Sequence, residues 1–139
     1  VVTVLYRMSK STYTGKSNFV DVSELSYYSS AVAWAFENEI VKGIGDNSFA
    51  PDLEVTREQL ITILYRYAKY KKNTIKVSEN SNLSEYEDYE EISGYSLEAF
   101  EWGYEEKIIS GRTETMLNPK GTASRAEVAT MLMKLEEKI

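Results

Sequence analysis

A ten-residue segment occurs three times in this chain. VVTVLYRMSK opens the sequence, LITILYRYAK begins at Leu60, and a looser copy, VATMLMKLEE, begins at Val128. Repetition at this scale predicts a repeat protein whose neighbouring repeats share one core. The first copy starts inside a helical pattern and lacks the residues that precede the other two. We therefore interpret residues 1–18 as the tail of a truncated repeat plus a connector, and we expect the chain to be a fragment.

Two longer repeats surround the second and third copies, at residues 19–72 and 86–139, with a linker at 73–85. An offset of 68 residues aligns most of their positions. The aligned pairs are Ala31 with Ala99, Trp34 with Trp102, Gly43 with Gly111, Pro51 with Pro119, Arg57 with Arg125, and Leu60 with Val128. At 139 residues the chain has room for one modest core, so we expect a single domain over 1–139.

Each repeat has the pattern of a helix, a loop and a second helix. The first helix is predicted to be capped by Ser29 or Ser30 in one repeat and by Ser96 in the other. Gly43 and Gly111 are predicted to end these helices, before loops rich in Gly, Asn and Pro. In the first repeat the predicted apolar face comprises Val32, Ala33, Phe36 and Ile40, widened by Ala31, Trp34 and Ala35.

The second helix of each repeat begins with a capping box, Thr56 to Gln59 and Ser124 to Glu127. Apolar residues then recur at i, i+3, i+4 and i+7, which is typical of an amphipathic helix. These stripes are Leu60, Ile63, Leu64 and Tyr67; Val128, Met131, Leu132 and Leu135; and, in the first copy, Val1, Val4, Leu5 and Met8. The sequence predicts an all-α fold in which the three stripes meet around one axis. A short strand at Thr74 to Val77 is an alternative within the linker.

Composition excludes several classes of function. The chain has 22 acidic and 16 basic residues and a net charge of -6, so a nucleic acid would be repelled. No apolar run is long enough to span a membrane. Without histidine or cysteine there is no Ser-His or Cys-His catalysis and no thiolate chemistry. We expect neither an enzyme nor a cofactor. Metal binding is not expected either, because the calcium-loop-like residues Asp46, Asn47, Ser48 and Asp52 lack the spacing of an EF-hand.

Arg57 and Arg125 occupy the first position of the two capped helices. A cation there opposes the helix dipole, so a compensating negative charge is expected. One candidate is a bound anion, which would meet free backbone amides together with the guanidinium. The other is a local pairing with an acid such as Glu58 or Glu127. Both interpretations stay open from the sequence.

A family resemblance supports the first interpretation. The chain has F-x-D at Phe19 to Asp21, Trp34, and then VKGIGDNSFAPDLEVTREQ. This pattern closely resembles an S-layer homology domain, whose repeats contain a G-x-G-D-x-x-F-x-P loop followed by a T-R motif. The second repeat, with Asp88, Trp102 and SRAEVATML, resembles the same family.

The resemblance implies a non-catalytic module that anchors exported proteins to bacterial cell walls. Its implied ligand is an acidic, pyruvylated secondary cell-wall polysaccharide, and its implied location is extracellular, in the cell wall or S-layer. It also implies a pseudo-trimeric bundle with a central spindle of repeat-terminal helices. The arginine of the T-R motif is implied to contact the pyruvyl carboxylate, which falls on Arg57 and Arg125. Self-association that completes the truncated repeat is left open.

Four further residues are candidate glycan contacts. Gly43 and Gly45 would let the backbone approach a sugar, although Gly43 also suits a helix end. Asp46 would accept hydrogen bonds from sugar hydroxyls, and Trp34 would stack on a sugar face or belong to the core. The second repeat has Thr113 and Glu114 in place of Gly45 and Asp46, so the site of the first repeat ranks above it. The alternative is a diverged structural or protein-interaction domain that binds no glycan.

Overall fold

The computed structural model describes residues 1–15, 19–23, 28–42, 54–72, 75 and 82–138. Within these residues the chain forms five α-helices and three short 3-10 helices, and no strand. The α-helices are α1 (Val2–Ser9), α2 (Ser29–Glu37), α3 (Arg57–Lys72), α4 (Leu97–Glu105) and α5 (Arg125–Lys138); the 3-10 helices are Asn82–Glu85, Tyr89–Glu91 and Gly94–Ser96. The all-α prediction is confirmed. The suggested strand at Thr74 to Val77 lies outside the described residues except for Ile75, which has no regular structure.

The chain divides into two compact units. The N-terminal unit is Val1–Leu53 and contains α1 and α2; the C-terminal unit is Glu54–Ile139 and contains α3, α4 and α5. The boundary falls inside the first full repeat, because α2 and α3 belong to different units. The pseudo-trimeric spindle stays a prediction, although α3 and α5 do pack against each other within the C-terminal unit.

Each unit contains the same helix pair. α1 packs on α2, and α3 packs on α4, so the last helix of one repeat pairs with the first helix of the next. A tyrosine and a tryptophan mark both contacts: the ring centroids are 5.6 Å apart for Tyr6 and Trp34, and 5.3 Å apart for Tyr65 and Trp102. The packed pair is therefore out of phase with the sequence repeat.

The apolar stripes supply the cores, with two corrections. Val4 is 41% exposed, because α1 buries Val2 and Leu5 instead. Phe36 is 47% exposed, since α2 turns its other face inward. The largest fully buried apolar side chains are Leu5, Trp34 and Ile40 in the N-terminal unit and Leu60, Ile61, Leu64, Tyr67, Leu83, Phe100, Ile108, Leu117 and Leu135 in the C-terminal unit.

Both first helices end earlier than predicted, in the same Schellman motif. In α2 the amide of Ile40 donates to the carbonyl of Ala35 at 2.8 Å, and Glu39 adopts a φ of 59°. In α4 the amide of Ile108 donates to the carbonyl of Gly103 at 2.8 Å, and Lys107 adopts a φ of 61°. These six-to-one hydrogen bonds and left-handed residues terminate the helices.

The prediction that glycines end these helices was therefore wrong. Gly111 lies six residues beyond the end of α4 at Glu105, and its role is steric. A Cβ atom there would lie 2.5 Å from the carbonyl oxygen of Thr113, so the loop closes tightly on a glycine. Gly43 lies outside the described residues, but α2 already ends at Glu37.

The predicted N-terminal caps of the first helices were also wrong in detail. Ser29 lies inside α2, and the capping position is Tyr28, which makes no side-chain capping bond. Ser96 does occupy the capping position of α4, but its hydroxyl donates to Glu58 at 3.1 Å instead of capping the helix. Ser96 resembles a cap in sequence, but its hydroxyl instead supplies a donor to the buried carboxylate of Glu58.

Both capping boxes of the second helices are confirmed. The Gln59 amide donates to Thr56 Oγ1 at 3.2 Å, and the Thr56 amide donates to Gln59 Oε1 at 2.9 Å. The Glu127 amide donates to Ser124 Oγ at 3.1 Å, with a longer return bond of 3.4 Å from the Ser124 amide to Glu127 Oε1. The local sequence motif thus fixes where α3 and α5 begin.

Replacing Lys107 with glycine is expected to stabilise the C-terminal unit by about 1 kcal/mol, because glycine adopts the left-handed conformation without a Cβ clash. Urea denaturation followed by Trp102 fluorescence, in a Trp34→Phe background, measures the change. Ala129→Gly, at an exposed position inside α5, is the matched control and should destabilise by about 1 kcal/mol. Equal destabilisation by both glycines would contradict the Schellman assignment.

Candidate functional site

The start of α3 is held by the segment that precedes α5. The Arg57 amide donates to the Gly121 carbonyl at 2.8 Å and the Glu58 amide to the Pro119 carbonyl at 2.9 Å. The Ala123 amide in turn donates to the Val55 carbonyl at 2.9 Å. Together with the capping box, these bonds occupy the first amides of α3. A bound anion at this helix start would therefore find no free amide, which argues against the first of the two interpretations of Arg57 that the sequence left open.

The Arg57 side chain is buried among protein acceptors. The residue is 5% exposed, its Nη1 donates to Glu127 Oε2 at 3.0 Å, and its Nη2 donates to the carbonyl of Ser110. Burial and the neighbouring Arg112 lower the pKa of Arg57, and Glu127 opposes them. Of the two acids proposed as local partners, Glu127 is the one paired with Arg57. The Arg57 Nε is buried and has no acceptor within the described residues.

Glu127 accepts hydrogen bonds from two arginines and from the backbone at the start of α5. Its Oε2 accepts from Arg57, and its Oε1 accepts from Arg112 Nη2 at 2.5 Å as well as from the Ser124 amide. Burial alone would raise the pKa of Glu127, but the bond from Ser124 and the two guanidinium groups outweigh burial, and the pKa lies below its ordinary value of 4.5. Glu127 therefore remains ionised at neutral pH.

Glu58 is a second ionised acid, buried at 3% exposure. Its carboxylate accepts from the Ser93 amide at 2.9 Å, the Ser93 hydroxyl at 2.8 Å, the Ser96 hydroxyl at 3.1 Å and Lys120 Nζ at 2.6 Å. Burial raises its pKa, yet Lys120 and the serine donors more than compensate, and the net pKa is lowered. Glu58 thus joins α3 to the segment before α4 and to the loop before α5.

Asp88 organises the loop between α4 and α5. Its two carboxylate oxygens accept from the Leu117 amide at 2.8 Å and the Asn118 amide at 2.7 Å. These bonds fix the backbone immediately before Pro119. Asn118 has a φ of 52°, a conformation that asparagine tolerates better than most residues. The aspartate of the F-x-D-like position in the second repeat therefore has a structural role in this loop.

Arg125 differs from Arg57 although both occupy the same repeat position. Arg125 is exposed, and no ion pair to it is found in the described part of the chain. The backbone amides of Arg125 and Ala126 also lack a protein acceptor among the described residues, whereas the corresponding amides of α3 are bonded. α5 therefore offers open amides beside an accessible guanidinium, which is a geometry suited to an anion.

The remaining candidate residues divide into two groups. Trp34 is 1% exposed and packs in the core of the N-terminal unit, which matches the core alternative and leaves no ring face open to a sugar. Gly43, Gly45 and Asp46 lie outside the described residues, as do the four residues of the discounted calcium loop. No group of three potential metal ligands occurs among the residues that the structure describes. No described helix is long and apolar enough to cross a membrane.

Sequence reasoning missed Arg112 and Lys120, and it considered Glu58 only as a partner of the arginine, whereas Glu58 pairs with Lys120. Glu58, Arg112 and Lys120 contribute to the charged network, and at an offset of 68 all three differ from their aligned residues, Lys120 from Asp52. At an offset of 68, Glu58 corresponds to Ala126, and Arg112 corresponds to Ile44. This asymmetry between aligned repeats was the available signal, because a charge present in only one repeat indicates a contact that only one repeat makes.

Two segments of the chain match a known protein family. The family model of the S-layer homology domain matches residues 18–61 and 85–129, which is more than half of the chain. Each match begins one residue before a predicted repeat and ends inside that repeat, at residue 61 and residue 129. S-layer homology domains are cell-wall anchoring modules of cell-surface proteins, and they are not catalytic.

Several curated proteins contain a similar segment. An amylopullulanase of Thermoanaerobacterium thermosulfurigenes and the exoglucanase XynX of Acetivibrio thermocellus are each 30% identical over 134 residues, or 96% of this chain. A surface-layer 125 kDa protein of Lysinibacillus sphaericus is 26% identical over 90% of the chain. The chain spans only 7%, 12% and 10% of these three relatives, respectively. Because the family model matches both repeats, this chain belongs to the S-layer homology domain family.

Proposed function

We propose that this chain anchors its parent protein to a bacterial cell wall by binding an acidic secondary cell-wall polysaccharide that carries ketal-linked pyruvate. The observation that supports this proposal most directly is the open start of α5. There, an exposed guanidinium adjoins two amides that have no acceptor among the described residues. A pyruvyl carboxylate has the charge and the planar pair of oxygens that such donors bind. The proposed location is therefore outside the cell, in the wall or S-layer.

Arg125 is proposed to contact the sugar carboxylate directly, and Arg57 is proposed to act mainly by positioning other residues of the site. The side chain of Arg57 is 6% exposed, so a sugar carboxylate would reach it only by taking the place of Glu127. Arg57 then belongs to the site chiefly by holding Glu127 and the start of α5 in position. Gly43, Gly45 and Asp46 remain proposed contacts in the first repeat.

The test is a binding assay with purified pyruvylated wall polysaccharide and with the same polymer after mild acid has removed the pyruvate. Arg125→Ala is expected to weaken binding to the pyruvylated polymer about tenfold, the effect of one charge-assisted hydrogen bond in a site of this kind. Arg7→Ala, which removes an exposed arginine of α1, is the matched control and should bind normally. If the unaltered chain binds both polymers equally, recognition of pyruvate is excluded.

A second candidate function is docking of another S-layer homology repeat, and the face of α5 favours it. Four positions of α3, the helix that packs against α4 and the segment before it, are buried and have exposed counterparts in α5. Glu58, Ile61, Thr62 and Tyr65 are buried, whereas Ala126, Ala129, Thr130 and Met133 are exposed. Sedimentation analysis separates the two candidates, because docking between copies would depend on protein concentration and would be lost in Ala129→Glu, which leaves Arg125 intact.

A further inference from the structure

The buried carboxylate of Glu58 holds two surface segments side by side. It accepts from the Ser93 hydroxyl at 2.8 Å and from the Ser96 hydroxyl at 3.1 Å, in the segment before α4. From the loop before α5, Lys120 Nζ donates to Glu58 Oε1 at 2.6 Å and also to the Ser93 hydroxyl. The two residues between the serines, and the ammonium group of Lys120, are therefore fixed next to the same carboxylate.

Tyr95 is one of the two residues between these serines. At 55% it is the most exposed aromatic residue of the described chain. Burial raises the pKa of its hydroxyl, and the nearby carboxylate of Glu58 raises it further. The tip of the ring thus lies beside Glu58 while more than half of the residue stays open to solvent. An aromatic ring that is both fixed and open is a surface on which a sugar ring can stack.

Gly94 precedes this ring, and neither packing nor backbone conformation requires a glycine there. A Cβ atom added at Gly94 would meet no heavy atom of the described residues within 4 Å, and the φ of Gly94 lies outside the left-handed region. At Gly111, by contrast, an added Cβ atom would lie 2.5 Å from the carbonyl oxygen of Thr113. Open space over a glycine beside an exposed ring lets a ligand come close to the backbone.

Lys120 adds a hydrogen-bond donor in a fixed position. Two of its three N–H groups are used by Glu58 and Ser93, which leaves one without an acceptor in the described part of the chain. The side chain is 57% exposed, so a ligand can reach this donor. Because Glu58 offsets the charge of Lys120, the donor suits the hydroxyl of a neutral sugar. The first repeat has Asp52 at the aligned position and lacks this donor.

We propose that Gly94, Tyr95 and Lys120 form a subsite for a neutral sugar unit of the wall polysaccharide. The sugar ring stacks on Tyr95 and lies over Gly94, and one of its hydroxyl oxygens accepts from Lys120. The subsite rests on the proposed function, because its ligand is the same polysaccharide. It deepens that function by adding a contact that does not depend on pyruvate and does not involve Arg125.

Gly94→Leu tests the subsite without disturbing the fold. The leucine side chain has free space in the protein but would occupy the space of the sugar. Binding, measured by calorimetry, should weaken about tenfold, and the midpoint of thermal unfolding should stay the same or rise. Tyr95→Ala should also weaken binding about tenfold, through the loss of stacking. Tyr70→Ala, which removes an exposed tyrosine near the end of α3, is the matched control and should bind normally.

The pyruvylated and the depyruvylated polymers separate the subsite from the recognition of pyruvate. Gly94→Leu and Tyr95→Ala should weaken binding to both polymers by the same factor, whereas Arg125→Ala should affect the pyruvylated polymer alone. If the first two variants bind like the unaltered chain, or lose binding to the pyruvylated polymer alone, the neutral subsite is overturned. If the unaltered chain binds both polymers equally and these variants weaken both, recognition of pyruvate fails and the subsite stands. If the unaltered chain binds neither polymer, both proposals fail.

Discussion

Glu58→Gln is expected to destabilise the C-terminal unit by about 3 kcal/mol, an effect typical of breaking a buried charged network. The glutamine keeps the shape of the side chain but removes the charge, and its amide group presents donors to other donors. Ser93, Ser96 and Lys120 would then lose an acceptor at a site that is 3% exposed. Urea denaturation monitored by Trp102, with Trp34 replaced by phenylalanine, reports on this unit alone.

Acid should diminish this difference between the two proteins. The folded pKa of Glu58 lies below its ordinary value of 4.5, so the carboxylate stabilises the fold fully above pH 4.5. That contribution is lost as the pH falls from 4.5 through the lowered folded pKa, and the glutamine variant has nothing equivalent to lose. Lys120→Ala is the matched control: with 57% of its side chain exposed, Lys120 should contribute less than about 1 kcal/mol. A pH-independent difference would contradict the ionic role of Glu58.

Glu127→Ala is expected to cost about 3 kcal/mol, because it leaves the buried guanidinium of Arg57 without its counter-ion and removes a capping partner. The repeat supplies a matched control in Gln59, which occupies the same capping-box position in α3 and makes no bond to an arginine of the described residues. Gln59→Ala should cost only about 1 kcal/mol, the usual contribution of a cap. Equal costs for the two alanines would show that the ion pair adds nothing.

A double variant isolates the stranded charge. In Arg57→Met with Glu127→Ala, no cation remains buried, so the double variant should be more stable than the sum of the two single changes predicts. The interaction energy from this cycle should reach about 2 kcal/mol. Additive costs would mean that Arg57 and Glu127 act independently, in spite of the 3.0 Å contact between them.

Structural features that depend on residues close together along the chain were predictable from the sequence. The two capping boxes and the all-α fold follow from short motifs and helical periodicity, and both appear as predicted. The Schellman ends were not predictable in the same way, because Glu39 and Lys107 are not residues that normally mark a left-handed position. There the closing hydrogen bonds and the burial of Ile40 and Ile108 outweigh the local preference.

The charged network was less accessible to sequence reasoning, since its partners are far apart along the chain. Glu58 is 35 positions from Ser93 and 62 from Lys120, and Arg57 is 70 from Glu127. A motif search recognises the T-R pair at Thr56 and Arg57 but carries no information on burial. The sequence therefore located the important arginine without revealing that its side chain is enclosed by protein.

The phase difference between the sequence repeat and the packed helix pair has a consequence for how such arrays grow and where they can be cut. A duplicated gene segment that encodes one whole repeat adds two helices. Its first helix packs against the last helix of the preceding repeat, and its last helix is left to pack against the first helix of the following repeat. Every added repeat therefore forms a packed helix pair with each neighbouring repeat. A protein trimmed at a sequence-repeat border such as Lys72 would separate α3 from α4, whereas a cut between Leu53 and Glu54 keeps both pairs whole.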